Sequence, residues 1–308
     1  MTTMLFTHDA CLAHDPGAGH PESPARLKAV LAALDRPEFS GLLRREAPRA
    51  DFAAIARVHA PGFAEAVLAA VPQEGHAALD ADTMLSPGSG EAALRAAGAA
   101  VAAVDAVMKG EARNAFCAVR PPGHHAEKRR PMGFCLFNNV AIAAQHARHA
   151  HGVARVAVVD FDVHHGNGTQ HSFEDDPSLF YGSTHQMPLY PGTGDVDEVG
   201  LDNIVNVPLA PMSGGREFRR GFEHVIVPAL DAFRPGLVLI SAGFDAHRDD
   251  PLAQLMLVED DYVWATRQLL DVADRHANAR VVSTLEGGYD LAALASSCMA
   301  HVRTLMAA

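Results

Sequence analysis

The chain has 308 residues, 48% of them hydrophobic and 20% charged, a balance that excludes a disordered or low-complexity protein. Its 25 Lys and Arg stand against 37 Asp and Glu, and the net charge of −12 argues against nucleic acid as a direct partner, which would need basic surface. No apolar run reaches the roughly 18 residues a membrane span needs, and the start Met1-Thr2-Thr3-Met4-Leu5-Phe6 lacks the basic and apolar regions of a secretory leader, so a cytoplasmic protein is expected.

Apolar runs of β character alternate with helical stretches. In chain order, residues 4–7 read as a strand and 24–34 as a helix with Ser23 as N-cap and Pro24 at its first position. Residues 53–58 and 61–70 read as helices, 90–109 as a packed Ala-rich helix, and 115–119 as a strand. Residues 138–151 are a predicted helix, followed by strands at 156–161, 180–183 and 204–207. Residues 214–233, 260–276 and 291–305 are predicted helices, with strands at 237–241 and 281–285 between them. Strands that alternate with helices predict an α/β fold with a parallel sheet covered on both faces. No Gly/Ser/Pro linker or internal repeat divides the chain, so residues 1–308 are expected to form a single domain. His146, His149 and His151 share one helical segment and are expected to face solvent. Cys11, Cys117, Cys135 and Cys298 form no C-x-x-C pair, so neither a disulfide framework nor a cysteine zinc site is indicated.

The chemistry collects at strand ends. The 156–161 run leads into Asp160-Phe161-Asp162-Val163-His164-His165-Gly166-Asn167-Gly168, and strand alternation puts Asp160, Asp162 and His164 on one side. Carboxylates and an imidazole at the C-terminal rim of a parallel sheet suit a divalent metal. A lone D-x-H is more often a solvated strand end, but three other segments supply the missing parts. After residues 115–119 comes Arg120-Pro121-Pro122-Gly123-His124-His125, two imidazoles on a constrained loop, candidates for a general base and acid. Asp160 and Asn167 are available to orient them. After residues 237–241 comes Asp245, a third metal ligand if it does not merely cap a turn. After residues 281–285 comes Glu286-Gly287-Gly288-Tyr289, whose hydroxyl can act as an oxyanion donor, although a Tyr after Gly-Gly is more often a loop anchor. Phe134 and Tyr190 lie on Gly-rich loops and are candidates for the walls of a tunnel for an aliphatic chain.

Taken in order, "GHPESPARL", "RPPGHHA", "MGFCLFNNVA", "DFDVHHGNGT", "YPGTGD", "SAGFDAHRDDPLA" and "EGGYD" resemble the zinc-dependent histone deacetylase family, on its class II-like branch with the bacterial amidohydrolases. The match runs from about His20 to Tyr289. The resemblance implies the arginase–deacetylase fold, with a central parallel sheet of about eight strands. It implies one catalytic Zn²⁺ held by Asp162, His164 and Asp245, with Fe²⁺ or Co²⁺ as alternatives for such a ligand set. His125 matches the general base and acid, His124 its electrostatic partner, Asp160 the carboxylate behind His124, and Tyr289 the transition-state tyrosine. Asn167 stands where class I members carry Asp, and a neutral amide raises a His pKa less than a carboxylate, so His125 is expected to be neutral at pH 7. Phe134 and Tyr190 match tunnel walls and Leu252 a rim position, with Gly133 and Gly287 beside them in the substrate-contacting set. Some polyamine-specialised members carry Glu at the rim position, which Leu252 does not supply. Arg26 matches an arginine near an internal acetate-release channel, and Asp82 is a candidate for the acidic rim residue of class I members. A structural K⁺ is implied, bound by the side chains of Asp160 and Ser183 and by the backbone carbonyls of Asp162, His164 and Thr184.

The expected activity is deacylation of lysine side chains in peptides or proteins. An acetylated small amine such as an acetylpolyamine is the alternative substrate, and a non-catalytic acyl-lysine reader a more distant one. A binuclear ureohydrolase would need further carboxylate and His ligands where this chain has His124, His125 and Tyr289. The Ala-rich composition points to a bacterial source, and bacterial relatives assemble as dimers or tetramers, so a homo-oligomer is compatible.

Overall fold

The computed structural model describes residues 2–308. Its strands are β1 (Thr3–Thr7), β2 (Leu43–Glu46), β3 (Ala77–Ala78), β4 (Met84–Leu85), β5 (Asn114–Cys117), β6 (Val156–Asp160), β7 (Leu179–Gln186), β8 (Ile204–Leu209), β9 (Leu237–Ala242) and β10 (Val281–Leu285). Its α-helices are α1 (Pro24–Leu34), α2 (Phe52–Ile55), α3 (Phe63–Ala69), α4 (Ser89–Met108), α5 (Asn139–His151), α6 (Asn167–Phe173), α7 (Gly215–Gly221), α8 (Val227–Phe233), α9 (Glu259–His276) and α10 (Leu291–Met306). One 8-stranded sheet runs in the order β2-β1-β5-β10-β9-β6-β7-β8, parallel throughout. β3 and β4 form a separate antiparallel pair.

Strands β5, β6, β9 and β10 are buried along their whole length, which demands cover on both faces. Two helix groups provide it: α4 packs on α5, and α10 packs on both α1 and α9. This is the α/β architecture of the arginase–deacetylase fold. Register sets the site. Asp160 pairs with Ser241, Leu285 with Ala242, and Thr284 with Cys117, so β6, β9, β10 and β5 end level with one another. The loops that follow them therefore open at one edge, the C-terminal rim where parallel sheets bind ligands.

The structure departs from the sequence reading in several places. β2 carries no apolar run, since all four residues of Leu-Arg-Arg-Glu are exposed, and only its pairing with β1 makes it a strand. The predicted helix at 214–233 is broken by a π-helical segment at Phe222–Ile226 just before Pro228. Proline has no N–H to donate and its ring crowds the preceding turn, so the helix widens there. α6 begins directly after the His164-His165-Gly166 turn, where the Gly-rich sequence masks a helix start. Of the three histidines expected to face solvent, only His149 is exposed; His146 and His151 fold back onto Asp105 of α4. The reason is helix–helix packing: α5 lies along α4 and its last turns present these rings to an acceptor. All four cysteines are buried and unpaired.

Candidate active site

Asp162, His164 and Asp245 converge at the rim, each offering one ligand atom within 4.8 Å of the others. His164 Nδ1 lies 3.1 Å from Asp162 Oδ1 and 3.2 Å from Asp245 Oδ2. The remaining oxygens are tied to the backbone: Asp162 Oδ2 accepts from Gly287 N at 2.8 Å, and Asp245 Oδ1 from Val163 N at 2.8 Å. Asp245 Oδ2 is buried and, despite its distance to the ring, has no aligned hydrogen-bond partner. An orphaned buried carboxylate oxygen beside a second carboxylate and an imidazole is a donor set that suits a divalent cation. The space is kept by Gly287, where an added Cβ would stand 2.0 Å from Asp245 Oδ2 and 2.6 Å from Asp162 Oδ2. Burial and the charge of Asp162 raise the Asp245 carboxyl to about 7. Burial alone would lower His164, but its bond to Asp162 and the adjacent charge of Asp245 raise it to about 10.

His124 and His125 sit beside this cluster with ring centroids 4.0 Å apart. Their loop is pinned from below, because Glu286 Oε2 accepts from Gly123 N at 2.6 Å and from His124 N at 3.2 Å. His124 Nδ1 bonds Asp160 Oδ2 at 2.9 Å, and Tyr181 donates to the same oxygen at 3.1 Å. His125 Nδ1 bonds Asn167 Oδ1 at 2.8 Å. The two rings are driven apart electrically. Burial opposes charge on both, but Asp160 and Asp162 raise His124 to about 10. His125 has burial and the positive charges of His124 and His164 against it, and falls well below 6.5. Two adjacent imidazoles of opposite protonation preference are the pattern of an acid–base pair.

Tyr289 follows β10 with its N–H donated to Asp250 Oδ2 at 2.7 Å. Arg26 lies 4.9 Å from the centre of its ring and donates to the Gly288 and Glu286 carbonyls at 2.5 Å each. Burial pushes the Tyr289 hydroxyl well above 10, so it stays a donor. Phe134 stands edge-on to Tyr289 at 5.9 Å, and Tyr190 edge-on to His125 at 5.1 Å. The structure thus brings both aromatic residues to the cluster from different sides. Phe134 is set by Gly133, whose φ of +56° puts an added Cβ 2.5 Å from His125 Cδ2. Leu252 sits in the loop beside Asp250, which accepts its N–H at 3.0 Å. Asp82 lies next to Thr83, whose hydroxyl accepts from Phe134 N at 3.1 Å, so this loop borders the aromatic mouth.

Asp160 and Ser183 are register partners on β6 and β7, both fully buried. Ser183 Oγ bonds His185 Nδ1 at 2.9 Å, and Asp160 Oδ1 accepts from Asp162 N at 3.0 Å. Two residues escaped the sequence reading. Glu127 accepts from Asn167 Nδ2 at 2.7 Å, and Glu286 holds the His124 backbone. Glu127 lies two positions after His125 on the same loop, and that spacing was its only signal. Glu286 stood inside a quoted motif, but only the pairing of β10 with β5 shows what it touches.

A family profile described as "Histone deacetylase domain" matches residues 20–305. The chain is 38% identical over 310 residues to the histone deacetylase-like amidohydrolase of Pseudomonas aeruginosa, covering 93% of this chain and 81% of that protein. It is 40% identical over 304 residues to the human polyamine deacetylase HDAC10, covering 92% of this chain and 44% of that protein. Among solved structures, the HDA15 HD domain superposes with a TM-score of 0.94 at 36% identity, covering 99% of this chain and 90% of that one.

Proposed function

Because the chain belongs to the histone deacetylase family and is a deacetylase of that family, we propose that it hydrolyses the acyl amide of lysine side chains in peptides or proteins, as one catalytic domain over residues 1–308 with Zn²⁺ held by Asp162, His164 and Asp245. The observation that carries this reading is the orphaned Asp245 Oδ2 in a His and Asp cluster flanked by His125 and Tyr289. K⁺ at Asp160 and Ser183 belongs to the same reading, supported by their burial side by side across β6 and β7.

An ion bound there supplies Lewis acidity toward the substrate carbonyl and makes water more acidic. Neutral His125 takes the proton of the attacking water on Nε2, since Nδ1–H is committed to Asn167. The same nitrogen then delivers that proton to the departing amine. His124, kept cationic by Asp160, places positive charge beside the oxygen on which negative charge develops. The Tyr289 hydroxyl donates to that oxygen. Phe134 and Tyr190 flank the aliphatic stem and shed its water, with Gly133, Leu252 and Gly287 completing the walls.

A second reading, deacetylation of a small acetylated amine, is favoured by the 40% identity to a polyamine deacetylase and disfavoured by Leu252 at the rim. The deciding experiment is turnover of an acetyl-lysine peptide and of acetylputrescine by the zinc-loaded protein, each with and without a hydroxamate chelator. Chelator-sensitive turnover of the peptide supports the first reading, and turnover of acetylputrescine alone replaces it with the second. Silence on both with zinc bound rejects both.

A further inference from the structure

A second cluster of metal-type side chains lies far from the rim, between α4 and α5. Asp105 projects from the last turn of α4, and His146 and His151 from the last turns of α5. Both imidazoles present Nε2 to the same oxygen, Asp105 Oδ1, at 2.7 Å each. The rings cross at 78° with centroids 5.7 Å apart, so they approach that point from different directions. The three ligand atoms lie within 4.8 Å of one another. The side chains are 14%, 16% and 34% exposed for His146, His151 and Asp105, which leaves a path for an ion and a coordination position for water.

We propose that Asp105, His146 and His151 form a second divalent-metal site, separate from the rim cluster, that takes a borderline transition ion such as Zn²⁺ and clamps the ends of α4 and α5. Two imidazoles and one carboxylate are the three-ligand set of open zinc sites, and nitrogen-rich sets disfavour Ca²⁺ and Mg²⁺. Each Nε2 must move away from Asp105 Oδ1 by roughly 0.6 Å, from 2.7 Å to the spacing of ligands around an ion at the usual bond lengths near 2.0–2.1 Å. Each ring then offers its Nε2 lone pair and keeps its proton on Nδ1. Arg57, 3.5 Å from His146 Nδ1, must turn outward for this, and Lys109 stands 3.4 Å from Asp105 Oδ2. Two neighbouring cations weaken the site, which makes it the weaker of the two and its dissociation constant higher than that of a fully buried structural zinc. The clamp has a clear mechanical position. α4 leads into β5 and the His124–His125 loop, while α5 leads into β6 and the Asp162–His164 loop.

The test is zinc stoichiometry on the chelator-stripped full chain by calorimetry, with thermal melting alongside. The expected result is two ions per chain, with the weaker one absent from the His146→Gln/His151→Gln double variant. That variant keeps its amidase activity, which also shows that it folds. His164→Ala is expected to keep the weaker ion alone. Excess Zn²⁺ should raise Tm of His164→Ala by roughly 3–6 °C and leave His146→Gln/His151→Gln/His164→Ala unmoved. Uptake of a single ion by the wild-type chain that the double variant retains overturns the proposal, as does a second ion that persists in the double variant. An equal Tm response in the two His164→Ala proteins also overturns it.

Discussion

Asn167 Oδ1 accepts the Nδ1–H of His125 at 2.8 Å while its amide nitrogen donates to Glu127 at 2.7 Å. The second bond fixes which way the amide points, so His125 carries its proton on Nδ1 and its lone pair on Nε2. An amide partner leaves the ring neutral, whereas a carboxylate would favour its charged form. The acidic limb of the kcat/KM profile should therefore fall below 6.5, the ordinary value of the ring. Asn167→Asp should move that limb upward by about 1 pH unit. A wild-type limb well above neutrality would contradict the role given to His125.

Tyr289→Phe removes one hydroxyl and no metal contact. It should lower kcat by roughly 10²–10³ with metal content unchanged, the loss typical of an oxyanion donor. Near-full activity in this variant would take Tyr289 out of the mechanism.

Metal uptake at the rim should release a proton. In the ion-free protein His164 is held to about 10 by Asp162 and Asp245, after burial has pulled it the other way. A metal-bound imidazole is neutral and a metal-bound carboxylate ionised, so binding at pH 7 expels at least one proton, from His164 and in part from Asp245, and the apparent affinity climbs with pH. Calorimetry in buffers of different ionisation enthalpy measures the release, and zero protons would refute it. His164→Ala should lose rim metal and activity together, and full rim occupancy in that variant would break the ligand assignment.

His301 gives the pH dependence of stability. Its ring is buried between Thr266 Oγ1 at 2.7 Å and Ser283 Oγ at 2.9 Å, and burial lowers it from 6.5 to about 3. Between those values the unfolded chain binds a proton that the folded chain refuses. The contribution of the neutral ring is therefore complete above about 6.5 and shrinks as pH falls. His301→Gln cannot titrate. Its stability deficit relative to wild type should narrow by up to about 2 kcal/mol between pH 7.5 and pH 5, measured by chemical denaturation. A deficit that is constant across this range would show that the folded ring accepts the proton.

Gly287→Ala tests the shape of the proposed metal pocket. An added Cβ meets Asp245 Oδ2 at 2.0 Å and Asp162 Oδ2 at 2.6 Å, and both carboxylates are tied to backbone N–H groups and cannot retreat freely. Expected are loss of rim metal and of activity, with destabilisation of about 1–3 kcal/mol. Metal analysis that finds full occupancy would mean the carboxylates yield.

The sequence made the sheet and its rim legible because buried parallel strands read as apolar runs that end abruptly in polar groups, as Val156–Asp160 does. What it could not show depends on contacts between distant segments. β2 is exposed and polar and becomes a strand only by pairing with β1. Glu286 reaches the His124 loop across β10 and β5, and Glu127 supports Asn167 across a turn and a helix start. His146 and His151 looked like surface residues because helical spacing alone does not say which neighbour a face will meet.

The bonds that tie down the rim carboxylates also depend on register. Val163 N to Asp245 Oδ1 joins positions 82 apart, and Gly287 N to Asp162 Oδ2 joins positions 125 apart. Contacts of such long range carry a large loop-closure cost and form only where the strands that hold them are in register. A strand paired one residue out of step would turn its side chains to the opposite face and scatter the donors. If the proposed ion binds there, its capture inspects the finished sheet, and a chain with β6, β9 or β10 misaligned has no site to offer it.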